Sequence, residues 1–215
     1  MKTALVFDID GTLIDSEHID AYYFIRALKD ILGTIGIADD WSSYTKVTDI
    51  GIVTEILEQN NLPATDAIIG DIREHFRKLL TIYFDNGGKC PPIPGVPSFL
   101  SRLHDNREIS CGIATGGWET TARMKLSYAE IDISTMPLSS SDDGNDRPAI
   151  MMNCLKKMAG PFDRTIYIGD GIWDLNASAD LGWEFIGIGS KLKGQCEHWF
   201  DNFSDIPALM RILLR

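Results

Sequence analysis

Apolar and polar positions fall into two rhythms along the chain. Short, continuous apolar runs rich in β-branched residues or bounded by glycine occur at TALVFDI (3–9), ISCGIAT (109–115), RTIYIGD (164–170) and WEFIGIG (183–189). Runs without polar alternation suit strands covered on both faces, as in a parallel sheet flanked by helices. Between them, apolar residues recur at helical spacing in VPSFLSRLHDN (96–106), ETTARMKLSYA (119–129) and PAIMMNCLKKM (148–158). Strands that alternate with helices predict an α/β core with a doubly wound parallel sheet.

The stretch from Ser16 to Pro92 breaks this rhythm. SEHIDAYYFIRALKDIL, DIGIVTEILEQN and DAIIGDIREHFRKLLTIYF read as helices, and no buried strand appears among them. The proline-rich CPPIPG that follows cannot continue a helix. The pattern predicts an all-helical cap domain, residues 16–92, inserted after the first strand of a core made from residues 1–15 and 93–215. SSSDDGND (139–146) is polar and turn-rich, and reads as a loop before a helix.

Composition narrows the functions. The 215 residues are 44% hydrophobic, ample for a folded core. A formal charge of −11 argues against general nucleic-acid binding, which needs a basic face. No apolar run approaches the length of a membrane span, and MKTALVFDID has the features of neither a secretory signal nor a transit peptide. The expected location is therefore cytoplasmic. Cys90, Cys111, Cys154 and Cys196 are scattered, as expected of incidental thiols. CEH at 196–198 has a spacing a metal could use but lacks a partner cluster. An anionic substrate would need local cationic groups to overcome the overall charge, and a divalent metal would supply them.

Three of the predicted strand tips carry groups with possible chemistry: Asp8 with Asp10, Thr115 with Gly116 and Gly117, Asp170 with Asp174. In open α/β sheets ligands bind at the carboxyl ends of strands, where these residues would converge. A carboxylate can carry a phosphoryl group as an aspartyl-phosphate. A second carboxyl then protonates the leaving group and later deprotonates water. Mg²⁺ suits oxygen ligands and neutralises the transferring oxygens, while hydroxyl, N–H and cationic donors hold the phosphoryl.

These motifs resemble those of the haloacid dehalogenase superfamily, in its phosphatase branch. DIDGT matches the first motif, D-x-D-G-T; the strand ending in ATGG matches the second; GDGIWD matches the fourth, with two acidic residues. The insertion resembles the helical cap of relatives of phosphoglycolate phosphatase and β-phosphoglucomutase. The resemblance implies a Rossmann-like core with Asp8 as nucleophile and Asp10 as general acid/base. It also implies Mg²⁺ held by Asp8, the Asp10 carbonyl and Asp170, with Asp174 ordering that shell. Thr115, with N–H groups around Gly11 and Gly116, would hold the phosphoryl. The implied partner is a small phosphorylated metabolite, with no nucleic acid and no membrane.

The third motif departs from the family pattern, because Arg147-Pro148 stands where Lys-Pro is usual. Arginine supplies the charge and two parallel N–H donors, but its fork is planar and larger than an ammonium. The alternative is a surface Arg147, with Lys125 or another lysine folding in. Trp118 and Trp173 read as packing residues under the site or as an apolar wall that excludes water. Tyr22, Trp41, Tyr44, Lys46, Thr48 and Asp49 are the material from which the cap could build a specificity pocket. The expected function is a Mg²⁺-dependent phosphatase; a phosphomutase of the β-phosphoglucomutase kind and a weakly catalytic binding module are the alternatives. Dehalogenation is disfavoured by Asp10. Substrate and oligomeric state are left open.

Overall fold

The computed structural model describes residues 2–38, 40–158 and 160–215. Six parallel strands form one sheet among these residues: β1 (Thr3–Phe7), β2 (Ile109–Ala114), β3 (Leu138–Ser139), β4 (Arg164–Gly169), β5 (Glu184–Ile188) and β6 (His198–Phe200). Their spatial order is β3-β2-β1-β4-β5-β6. The order reverses between β1 and β4, so the ligand crevice of a doubly wound sheet is expected beyond their carboxyl ends. All four apolar runs form strands. β3 and β6 escape the hydrophobic pattern because they are two and three residues long and lie at the sheet edges.

Successive residues of β1 point to opposite faces, and both faces are covered. Leu5 and Phe7 join an apolar cluster with α4 (Val96–His104), α5 (Glu119–Tyr128) and α8 (Ile206–Leu213). Val6 joins a second cluster with Tyr167, α6 (Arg147–Lys157) and α7 (Ile172–Leu181). This two-sided burial explains the absence of polar alternation in the strand sequences.

Between β1 and α4 run α1 (Glu17–Leu32), α2 (Asp49–Gln59) and α3 (Asp66–Asp85). Thr48 and Thr65 cap α2 and α3 by accepting the N–H of Gly51 and Ile68, which satisfies otherwise orphaned donors. The chain leaves and re-enters the sheet region at adjacent points, where Ile14 bridges Pro92 and the Ile93 N–H donates to Leu13 O at 2.9 Å. The apolar interior of α1–α3 is continuous with one face of the sheet. Trp118 joins the two, its ring 5.8 Å from Phe24 of α1 and 6.1 Å from Phe76 of α3. No helix among the described residues is long and apolar enough to cross a membrane.

Candidate active site

Register places the chemistry. Phe7 pairs with Ile113 on β2 and Ile168 on β4, so Asp8, Thr115 and Asp170 emerge together just past the strand ends. The Asp8 N–H donates to Ile168 O at 2.9 Å, and its side chain is almost fully buried. Arg147 opens α6, whose start is fixed by Pro148 and by Asp146, which accepts the Ala149 N–H. From there the Arg147 Nη1 donates to Asp8 Oδ1 at 2.9 Å and Asp174 Oδ1 at 3.0 Å. Its Nε donates to Val47 O at 3.0 Å, reaching the segment between α1 and α2. The arginine of the departed third motif therefore points into the site.

Asp174 has two roles. One oxygen accepts Arg147, and the other accepts the Gly171 N–H at 3.1 Å and so caps α7. Asp8, Asp170 and Asp174 are all buried, and each offers an oxygen within 4.8 Å of the others. Burial raises the pKa of all three. At Asp8, Arg147 opposes the rise while Asp174, Asp170 and Asp10 add to it. At Asp170, Lys191 opposes it and Asp174 adds, leaving the group at about 7. Asp174 is raised as well, against the charge of Arg147. Three crowded hard-oxygen donors suit a divalent cation, which would relieve their desolvation and mutual repulsion.

Gly11 has φ +78°, and a β-carbon there would strike the Asp170 carboxylate. Its N–H donates to Ile14 O at 2.9 Å, so the missing side chain is what Gly11 contributes beside Asp170. At Gly116 a β-carbon would stand 2.8 Å from Val47 O and 2.9 Å from Arg147 Nε. Thr115 is buried, and its hydroxyl oxygen accepts the Gly117 N–H at 3.1 Å, leaving the hydroxyl proton to donate.

Asp10 lies beside these groups, held by the Ser16 hydroxyl and by Lys125, whose Nζ donates to Asp10 Oδ2 at 2.8 Å. Lys125 is 1% exposed and also donates to Asp20 of α1. Burial would lower its pKa, but Asp10 and Asp20 outweigh that and raise it. Asp20 is pushed up to about 6 by burial against the pull of Lys125. The sequence set Lys125 against Arg147 as alternatives; the structure brings both in, on different carboxylates. Asp20, and Lys191 paired with Glu17 and Asp170, carry no local signal, because charged residues in helices and turns read as solvated.

A crevice of about 100 Å³ opens above Asp8 and Asp10. Of the cap residues named from sequence, Trp41, Thr48 and Asp49 line it. Tyr22 and Lys46 are exposed, and Tyr44 is buried with its hydroxyl on Ala38 N–H at 3.0 Å. Trp173 also lines the crevice, whereas Trp118 packs beneath it. Glu17, Asp20 and Phe24 of α1 complete the wall on that side. The cysteines are free, with burial pushing Cys90 up to about 11 and Cys111 up to about 12.

A family model described as haloacid dehalogenase-like hydrolase matches residues 2–182. A hydrolase from Pseudomonas syringae is similar over 99% of this chain and 99% of that chain, with 22% identity and a TM-score of 0.78. β-Phosphoglucomutase from Clostridium difficile is similar over 100% of both chains, with 19% identity and a TM-score of 0.76. CbbY from Rhodobacter sphaeroides, solved in complex with phosphate, is similar over 96% of each chain, with 18% identity and a TM-score of 0.68. No curated protein matches the sequence. These structures share the fold, and the match of the family model spans β1–β4, α1–α7 and every carboxylate of the crevice. The chain belongs to the haloacid dehalogenase-like hydrolase family.

Proposed function

We propose that the protein is a Mg²⁺-dependent phosphatase that hydrolyses a small phosphorylated metabolite through an aspartyl-phosphate on Asp8. One observation carries this reading: a buried carboxylate at the switch point of the sheet, bonded to Arg147 and within 4.8 Å of Asp170 and Asp174. Asp8 Oδ attacks phosphorus, the ester oxygen leaves, and Asp10 protonates it. Asp10 then takes a proton from water, whose oxygen attacks the aspartyl-phosphate and releases phosphate. Ser16 and Lys125 hold the Asp10 carboxyl in one orientation for both transfers. Arg147 and the Thr115 hydroxyl donate to the phosphoryl oxygens as charge builds there. Asp8, the Asp10 carbonyl, Asp170 and Asp174 would hold Mg²⁺, which supplies charge neutralisation at those oxygens.

Residues 16–92 would act as a cap over this chemistry, hinged where Ile14 meets Pro92. Support comes from bonds that cross to the sheet side: Arg147 Nε to Val47 O, the Asp49 N–H to Gly116 O at 2.8 Å, and Arg73 to Asp142 at 2.8 Å. Such closure excludes water from the ester and completes the pocket. CbbY has been solved with phosphate and, as a mutant, with xylulose-(1,5)-bisphosphate, which fits a phosphorylated small molecule for a fold of this kind. The test is phosphate release from p-nitrophenyl phosphate and a phosphometabolite panel, with Mg²⁺ and with a chelator. Mg²⁺-dependent release is expected. No release from any ester, or release unaffected by the chelator, contradicts the reading. Conversion of a sugar phosphate to an isomer without release would replace hydrolysis by transfer at the same site.

A further inference from the structure

We propose that the leaving group carries a protonated amine recognised by Asp49, so that the substrates are phosphate monoesters of short amino alcohols; this rests on the phosphatase reading. Beyond Arg147 and the carboxylates of phosphoryl transfer, the charged groups lining the crevice are Glu17, Asp20 and Asp49, all acidic. The cations that contact the carboxylates of the crevice are engaged with them. Arg147 is bonded to Asp8 and Asp174, Lys125 is enclosed between Asp10 and Asp20, and Lys191 is paired with Glu17 and Asp170. A substrate with a carboxylate or second phosphate on its leaving group would therefore meet three carboxylates and no unpaired cation among the described residues that line the crevice.

Asp49 is the group left without a counter-charge. It is 9% exposed and has no ion-pair partner among the described residues. One oxygen accepts the Trp118 N–H at 2.9 Å, and its own backbone N–H donates to Gly116 O, so the carboxylate cannot swing away. Burial and the charge of Asp20 hold its pKa well above the usual range, against the pull of Lys125. A cation at this point would relieve both effects. The position is also correct. A β-carbon built on Gly117 would stand 3.6 Å from Thr115 Oγ1, 3.7 Å from Asp49 Oδ2 and 4.0 Å from Asp10 Oδ2. Asp49 thus lies within a few bonds of the ester oxygen that Asp10 protonates. Phe24, Trp41 and Ile52 on the same wall offer apolar and aromatic surface to methylenes and an ammonium.

Three matched esters test this: 2-aminoethyl, 2-hydroxyethyl and carboxymethyl phosphate, each assayed for kcat/KM with Mg²⁺. The aminoethyl ester should exceed the hydroxyethyl ester by about tenfold to a hundredfold, the range of one charge-assisted hydrogen bond, with the carboxymethyl ester slowest. Equal or faster turnover of the carboxymethyl ester overturns the inference and leaves the phosphatase reading standing. In Asp49→Asn the aminoethyl-to-hydroxyethyl ratio should fall towards one. The asparagine oxygen still accepts the Trp118 N–H, so general loosening would lower both esters and leave the ratio unchanged, which also overturns it. If none of the three esters is hydrolysed, calorimetric binding of the three to the wild-type protein decides the inference, while p-nitrophenyl phosphate and the phosphometabolite panel decide the phosphatase reading. Tightest binding of aminoethyl phosphate supports it, and equal binding overturns it.

Discussion

Arg147→Met removes the cation bonded to Asp8 while keeping a long side chain. Its guanidinium bonds Asp8 at 2.9 Å and Asp174 at 3.0 Å, and the side chains are 11%, 4% and 0% exposed. Removing one partner of a buried ion pair costs about 3–5 kcal/mol, because the remaining charges are left unpaired. For a domain of this size each kcal/mol moves Tm by about 2–4 °C, so a fall of about 6–20 °C is expected. Catalysis should suffer separately. A lost donor to the charge of the transition state is worth about 10²–10³ in kcat. Arg147→Lys keeps the charge but has no planar fork to reach Asp8, Asp174 and the Val47 carbonyl at once. It should recover most of the stability and only part of kcat. The assays are thermal unfolding and Mg²⁺-dependent phosphate release. Arg147→Met with kcat within about threefold of wild type would refute the reasoning, since Lys125 would then suffice.

Other outcomes follow from the same geometry. Asp170, at about 7, and Asp20, at about 6, have raised carboxyl pKa values, so the metal-free fold binds protons that the unfolded chain has already lost. Its stability should fall as pH rises from about 4 to 7, by up to about 1.4 kcal/mol per pH unit for each group. Mg²⁺ should raise Tm most at the upper end, and a metal-free Tm that climbs with pH across this window contradicts the assignment. Lys125→Met leaves Asp10 and Asp20 facing each other unpaired, and should cost about 3–5 kcal/mol in denaturant unfolding. Adding Asp20→Asn should recover part of that loss, because one of the two stranded charges is gone. Trp118→Ala removes the ring between Phe24 and Phe76 and should cost about 3–5 kcal/mol; a loss under about 1 kcal/mol would show that the cap and sheet cores are independent.

The parts of the fold legible in the sequence are those whose physics is local. Leu5, Phe7 and Ile168 sit in runs that only two-sided burial explains, and each run ends at a carboxylate or threonine of the crevice. Leu138–Ser139 and His198–Phe200 are too short for any hydrophobic period. The partners of Lys125 and Lys191 were hidden for another reason. Each meets its carboxylates only through folding, Lys125 reaching Asp10 across 115 positions and Lys191 reaching Glu17 across 174. Lys125 lies in a polar helix that reads as a solvated face, yet it is among the largest fully buried side chains. The cap shows the same limit: helical period fixed α1–α3 but could not tell Asp49, aimed into the crevice, from the exposed Lys46 three residues earlier.

The central claim is that Asp8 carries the phosphoryl group, and trapping that group tests it most directly. Wild-type protein would be mixed with a ³²P-labelled ester and Mg²⁺, quenched in acid within milliseconds and digested, and the labelled peptide sequenced. Label is expected on the peptide containing Asp8, discharged by hydroxylamine as an acyl-phosphate is, and none in Asp8→Asn. Phosphate release that continues in Asp8→Asn, or label carried by any other residue, would contradict it.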